Sequence, residues 1–138
     1  MSSDWLLHPQ LEQDTVALGD LALSRVLISR DARYPWLILV PRCTGAIEII
    51  NLGDAEQTLL MTEIAQISRA LQAVTARDKL NVAALGNLVP QLHVHVIARH
   101  RNDAAWPRPV WGVHPPLPYQ PGGIEAFAAA LRPRIWLD

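Results

Sequence analysis

Two histidines one residue apart, His93 and His95, are the side chains of this sequence whose types and spacing point most directly to chemistry. They lie in Gln91-Leu92-His93-Val94-His95-Val96, which alternates polar with apolar, the two-residue period of a strand with one buried face. Leu92, Val94 and Val96 then point into a core. Gln91, His93 and His95 form a row on the other face, with like neighbours roughly 7 Å apart. Imidazole titrates near neutral pH, so His93 can act as a neutral nucleophile without a base beside it. It attacks best through one ring nitrogen when the other holds its proton in a hydrogen bond. The pair is equally half of a metal site, since both rings share a face. His100, His114 or Asp103 would have to complete that site. Their spacing carries no recognised zinc pattern, so no metal and no cofactor are expected.

The run Gln91-Leu92-His93-Val94-His95-Val96-Ile97 resembles the signature of the histidine triad (HIT) superfamily, His-x-His-x-His followed by two apolar residues. Gln91 stands where the family usually has its first histidine. Gly86-Asn87-Leu88-Val89-Pro90 extends the likeness, at the place where the family has a glycine, an amide and a short segment that wraps phosphate. The chain is similar to bacterial members described as diadenosine-tetraphosphate-hydrolase-like.

That resemblance implies hydrolysis or transfer of a nucleotide at its α-phosphate. His93 is then the nucleophile, and a covalent nucleotidyl-histidine is the intermediate. It implies that the main-chain carbonyl of Gln91 orients the second nitrogen of His93. His95 would donate to a phosphate or bridging oxygen, carrying a proton near neutral pH that a nearby phosphate favours. The Asn87 side chain and the N–H groups around Leu88 and Val89 would hold the other phosphate oxygens. Arg99 is a further phosphate candidate, Asn81 a ribose or phosphate candidate, and Trp111 stacks on a base or packs. Trp36, where relatives often carry another histidine, is either core or pocket wall. The expected partners are a nucleotide, adenine-containing as in the family, and a second copy, since such proteins are usually homodimers that join their sheets. The alternative from another class is a nucleotide-binding or sensing protein with little or no turnover. Gln91 and Leu88 motivate it, the latter because relatives often have Ser or Thr there.

Composition narrows the classes. At 138 residues the chain suggests one domain over 1–138 with room for one real core. Half the residues are hydrophobic and 18% are charged, as in a soluble globular protein. Apolar runs such as that from Trp36 to Pro41 are far too short to span a bilayer, and no basic-then-apolar leader opens the sequence. The single Cys43 cannot form an internal disulfide, which agrees with a cytoplasmic location. A net charge of −1 provides no global field for nucleic acid.

The elements that must carry the histidines follow from local patterns. Residues 1–14 read as a short helix or turn packed on the body, and 15–30 as one or two strands with a turn at Gly19-Asp20. The apolar run at 35–41, bracketed by prolines, reads as a central strand. Asp54 and Gln57 look like a capped helix start. Leu60, Ile64, Ile67, Leu71 and Val74 then form one apolar stripe that ends near Arg77. Residues 79–85 read as a strand joined through a tight Gly86-Asn87 turn to the histidine strand at 90–99, so the two are antiparallel neighbours. Residues 101–121 hold six prolines and read as a long loop, followed by an alanine-rich helix at 124–131. Adjacent strands with segregated helices mean α+β, with a mostly antiparallel, five-stranded-type sheet and two main helices, HIT-like in outline.

Overall fold

The computed structural model describes residues 4–138. Five strands form one sheet in the order β1-β2-β3-β5-β4, and every neighbouring pair is antiparallel. They are β1 (Thr15–Asp20), β2 (Ser24–Ser29), β3 (Trp36–Pro41), β4 (Lys79–Ala83) and β5 (Val94–Arg99). Three α-helices accompany them: α1 (Pro9–Asp14), α2 (Asp54–Val74) and α3 (Gly123–Leu131). The α+β reading and the five antiparallel strands hold.

Alternation along the strands divides the sheet into two faces. On one, Val26, Ile28, Leu37, Leu39, Val94 and Val96 pack under α2 and α3 in the main core. The α2 stripe buries Leu60, Ile67 and Leu71 as expected, and adds Glu63, which is only 3% exposed. The Glu63 carboxylate accepts hydrogen bonds from the main-chain N–H groups of Leu23 and Ser24 at 2.8 and 3.0 Å, so it closes the turn into β2. Charge without a partner could not be buried there; two donors make it possible.

The opposite face is covered by the N-terminal segment with α1 and by irregular chain. Trp5, Leu7 and Leu11 lie on Leu27, Ile38 and Val40. Tyr34 and Ile97 are covered by Ala105, Val110 and Trp111 from the long proline-rich segment. Between these two covers the face stays open, and His93 and His95 sit in the gap.

Several boundaries differ from the local reading. Gly19-Asp20 is not a turn: both residues belong to β1, where the register shifts between Ala17 and Gly19 in a bulge. The N-cap of α2 is Gly53 rather than Asp54, and its N–H donates to the Glu56 side chain at 3.0 Å. The β4–β5 connection is not a tight hairpin but runs from residue 84 to residue 93. Regular pairing in β5 starts only at Val94. Pro90 has no N–H to give a ladder, and the Leu92 N–H bonds instead to the carbonyl of Ala46.

Candidate active site

His95 stands on β5 opposite Ile38 of β3 and Ala83 of β4, so two strands hold it rigidly. His93 lies just before the regular pairing. The two rings are 5.0 Å apart, edge to face. Both are buried, with 6% of each residue exposed.

Their hydrogen bonds assign opposite tautomers. His93 Nδ1 is 2.7 Å from the Gln91 main-chain oxygen. A carbonyl only accepts, so Nδ1 carries the proton, and in the neutral ring the lone pair sits on Nε2. The Trp36 indole Nε1–H donates to His95 Nδ1 at 3.0 Å. An indole only donates, so His95 keeps its proton on Nε2. Burial, and next the neighbouring His93, pull the His95 pKa from 6.5 down to about 3. In the site without phosphate His95 is therefore neutral near neutral pH, whereas the sequence reading expected it charged beside a phosphate. An imidazolium would set an N–H against the Trp36 N–H inside a desolvated site. Neutral His95 still offers its Nε2–H as a hydrogen-bond donor, without the positive charge.

Aromatic contacts fix these rings. Trp111 meets His95 edge to face at 4.9 Å and Trp36 at 5.9 Å, and Tyr34 supports Trp36 at 6.3 Å. Trp36 is thus both core and wall. Its role as orienter of His95 was not legible in its own strand, because it depends on the diagonal pairing of β3 with β5.

The rings form the floor of an open cavity of about 680 Å³, within the range of small-molecule sites. Trp111 and Val110 make one wall, and Leu85 to Val89 another. The far end holds Asp14, Thr15, Ser29, Arg30 and Asp31, at the ends of β1 and β2, which the sequence reading did not single out. A second cavity of about 230 Å³ adjoins it and shares Leu85, Gly86 and His93.

The segment before the histidines is shaped by Gly86, whose φ of +73° lies in the left-handed region. Beyond it Asn87 and Leu88 are exposed, Leu88 at 96%, and Asn87, Leu88 and Val89 all line the large cavity. Among the described residues, none accepts a hydrogen bond from the main-chain N–H groups of these three. Such unused donors beside a nucleophile suit an anion.

The remaining candidates separate. The side chain of Gln91 points away from both cavities: its amide donates to the Leu6 carbonyl at 2.9 Å and accepts from the His8 N–H at 2.8 Å. It ties the N-terminal segment to the site's floor, while its carbonyl serves His93. The His8 ring accepts from the Gln10 N–H and caps α1. Arg99 and Asn81 line neither cavity. Arg99 is 1% exposed. Its guanidinium donates to Asp103 at 2.7 and 3.0 Å, to the Asn81 Oδ1 at 2.9 Å and to the Arg108 carbonyl at 2.8 Å. It also lies over the rings of Tyr34 and Trp106. The structure thus corrects both as substrate contacts: a buried charge needs all its partners inside the protein. Arg99 anchors the proline-rich segment to β5 and β4. Among the described residues, no group of three or more His, Cys, Asp or Glu side chains is placed to hold a metal ion. No helix there is long and apolar enough to cross a membrane.

Comparison with known proteins agrees with this geometry. Residues 10–102 match the HIT domain family. The fold superimposes on a histidine triad protein from Bradyrhizobium japonicum with a TM-score of 0.94 at 59% identity, covering 96% of this chain and 98% of that one. A histidine triad protein from Marinobacter aquaeolei gives 0.91 at 45% identity, covering 94% and 95%. One from Sinorhizobium meliloti gives 0.93 at 38%, covering 96% and 98%. No curated protein matches this sequence.

Proposed function

We propose, on the premise that this chain belongs to the HIT domain family, that it cleaves a nucleotide at its α-phosphate through a covalent nucleotidyl-histidine at His93. HIT domain proteins are generally nucleotide-binding proteins and hydrolases. The observation that carries the reading is the 2.7 Å contact between His93 Nδ1 and the Gln91 carbonyl. It holds the ring so that the Nε2 lone pair is the reactive one, on the floor of a cavity large enough for a nucleoside monophosphate.

The nucleoside occupies the large cavity, against Trp111 and toward the polar end at Asp31. Nε2 of His93 attacks the α-phosphorus, the bond to the leaving group breaks, and water later releases the nucleoside monophosphate. Negative charge on the phosphoryl oxygens is met by the N–H groups of Asn87, Leu88 and Val89, by the Asn87 amide and by the His95 Nε2–H. Preorganised donors of this kind each contribute about 3 kcal/mol to the transition state. Gln91 in place of a histidine is compatible with turnover, because only its carbonyl serves the nucleophile. The motif likeness to the diadenosine-tetraphosphate-hydrolase-like branch supports an adenine nucleotide. We take the active unit to be a cytoplasmic homodimer of a single domain over 1–138.

The test is a single-turnover incubation with an adenylate that carries a good leaving group, read by intact mass spectrometry. Wild type gains one AMP transiently and then releases it; His93→Ala gains none. Saturable AMP binding without adduct or release would overturn the enzymatic reading in favour of a nucleotide sensor.

A further inference from the structure

We propose that the buried pair of Arg99 and Asp103 is a positioning device for the active site. It folds the proline-rich segment back so that Trp111 closes on His95, and it backs Trp36 through Tyr34. Its purpose rests on the nucleotidyl-histidine reading. It adds to that reading two residues that hold the reactive face without touching substrate, since neither lines a cavity.

The Asp103 carboxylate is where the segment turns. It accepts five hydrogen bonds: two from the Arg99 guanidinium and one each from the main-chain N–H groups of His100, Ala105 and Trp106, at 3.1, 3.2 and 2.8 Å. The Arg99 guanidinium also holds the Arg108 carbonyl at 2.8 Å. Residues 103–108 are thereby pinned to β5. A second anchor lies further along, where the Leu117 N–H donates to Asp31 at 3.1 Å and the Leu117 carbonyl accepts from the Ala32 N–H at 2.7 Å. Trp111 sits between the two anchors, edge-on to His95 and to Trp36.

A second line of contacts runs over the sheet. The Arg99 guanidinium lies 5.6 Å from the centre of the Tyr34 ring, Tyr34 meets Trp36 edge to face, and the Trp36 N–H fixes the His95 tautomer. The buried Tyr34 hydroxyl has no hydrogen-bond partner among the described residues, so this residue contributes its ring. A buried ion pair is a weak source of stability, because apolar side chains of similar volume often serve as well. What this pair supplies is direction: a planar fork of donors facing a carboxylate accepts few arrangements of the chain around it.

The consequence falls on His95. The rings that pack on it are His93, Trp36 from β3 and Trp111 from the segment, and Ile38 and Ala83 flank it across the sheet. Of these only His93 titrates. Burial is the main reason that His95 resists a proton. Freeing Trp111 admits water to the ring and raises the pH at which it is protonated.

The experiment follows the His95 ring by nitrogen NMR across pH and measures AMP binding by the same proteins. Arg99→Lys keeps the charge but loses the fork. Arg99→Met combined with Asp103→Asn removes both charges together. Both should raise the His95 midpoint from about 3 by at least about one unit, a tenfold change in proton affinity. Both should weaken AMP binding roughly three- to tenfold as the Trp111 wall loosens. Leu71→Ala, which opens the main core on the other face of the sheet, controls for lost stability and should move neither quantity. Tyr34→Phe, which keeps the ring, should also move neither. A His95 midpoint unmoved in both Arg99 variants, or moved as far by Leu71→Ala, overturns the proposal. A shifted midpoint in proteins whose wild type gains no His93 adduct from an adenylate is a different failure, that of the nucleotidyl-histidine reading itself.

Discussion

Replacing His95 with glutamine removes one titrating ring from the buried floor and keeps a neutral polar side chain beside Trp36. In the native protein, burial and then His93 hold the His95 pKa at about 3, against an ordinary 6.5. The folded state therefore binds this proton less readily than the unfolded chain. That stabilises the fold above the unfolded pKa, and the contribution is lost as pH falls from about 6.5 through about 3. Linkage sets the loss at about 2 kcal/mol between roughly pH 7 and pH 5, and about 3 kcal/mol by pH 4. Urea unfolding of wild type and His95→Gln at these pH values measures it. The carboxylates are common to both proteins and cancel in the difference. The stability of wild type relative to His95→Gln should fall by about 2 kcal/mol on going from pH 7 to pH 5. A difference that stays constant to within about 0.5 kcal/mol would mean that His95 takes up its proton in the folded state. The neutral tautomer and the Trp36 hydrogen bond would then be the wrong description of the site.

Arg99→Met should cost about 3–5 kcal/mol, because it strands the Asp103 carboxylate inside the protein; adding Asp103→Asn should recover part of it. Chemical denaturation of the single and double variants decides this, and a raised KM with unchanged stability would return Arg99 to the substrate. Gln91→Ala keeps the carbonyl that serves His93 but loses two hydrogen bonds to the N-terminal segment. It should lose about 1–2 kcal/mol of stability with adduct formation at His93 retained; loss of the adduct in a folded variant would contradict the split between carbonyl and side chain. Gly86→Ala places a Cβ 3.4 Å from the Val89 carbonyl at a φ of +73°. The strain is about 1–2 kcal/mol, and single-turnover adenylylation should slow because the Asn87–Val89 donors move; an unchanged rate would remove them from the site.

Much of the fold was readable from local periodicity. The alternation through Leu92–Val96 assigns the histidines to one face and the valines to the other without knowledge of the rest. The α2 stripe and the apolar run of β3 are similarly local, since each pattern is set by backbone geometry that repeats over two or 3.6 residues. Boundaries were less legible where a residue's hydrogen-bond partner is distant. Pro90–His93 reads as strand, yet its bonds go to Ala46, Leu6 and His8 rather than to a ladder.

The sequence by itself determined which residues share the reactive face; that a carbonyl two positions earlier serves His93 was implied by the family resemblance, and the structure shows the contact to Gln91 at 2.7 Å. The sequence also made the antiparallel pairing of β4 with β5 legible. Only the tertiary structure decided the state and surroundings of those residues. The His95 tautomer depends on Trp36, 59 positions away. The burial of Arg99 depends on Asn81 across β4 and on the fold-back of the chain at Asp103 and Arg108. The second cavity exists because the segment after β3 passes beside Leu85 and Gly86. Periodicity encodes the side of an element on which a residue lies, because that follows from its own backbone. Protonation, burial and pocket shape are set by neighbours that strand register and loop closure bring together from distant parts of the chain.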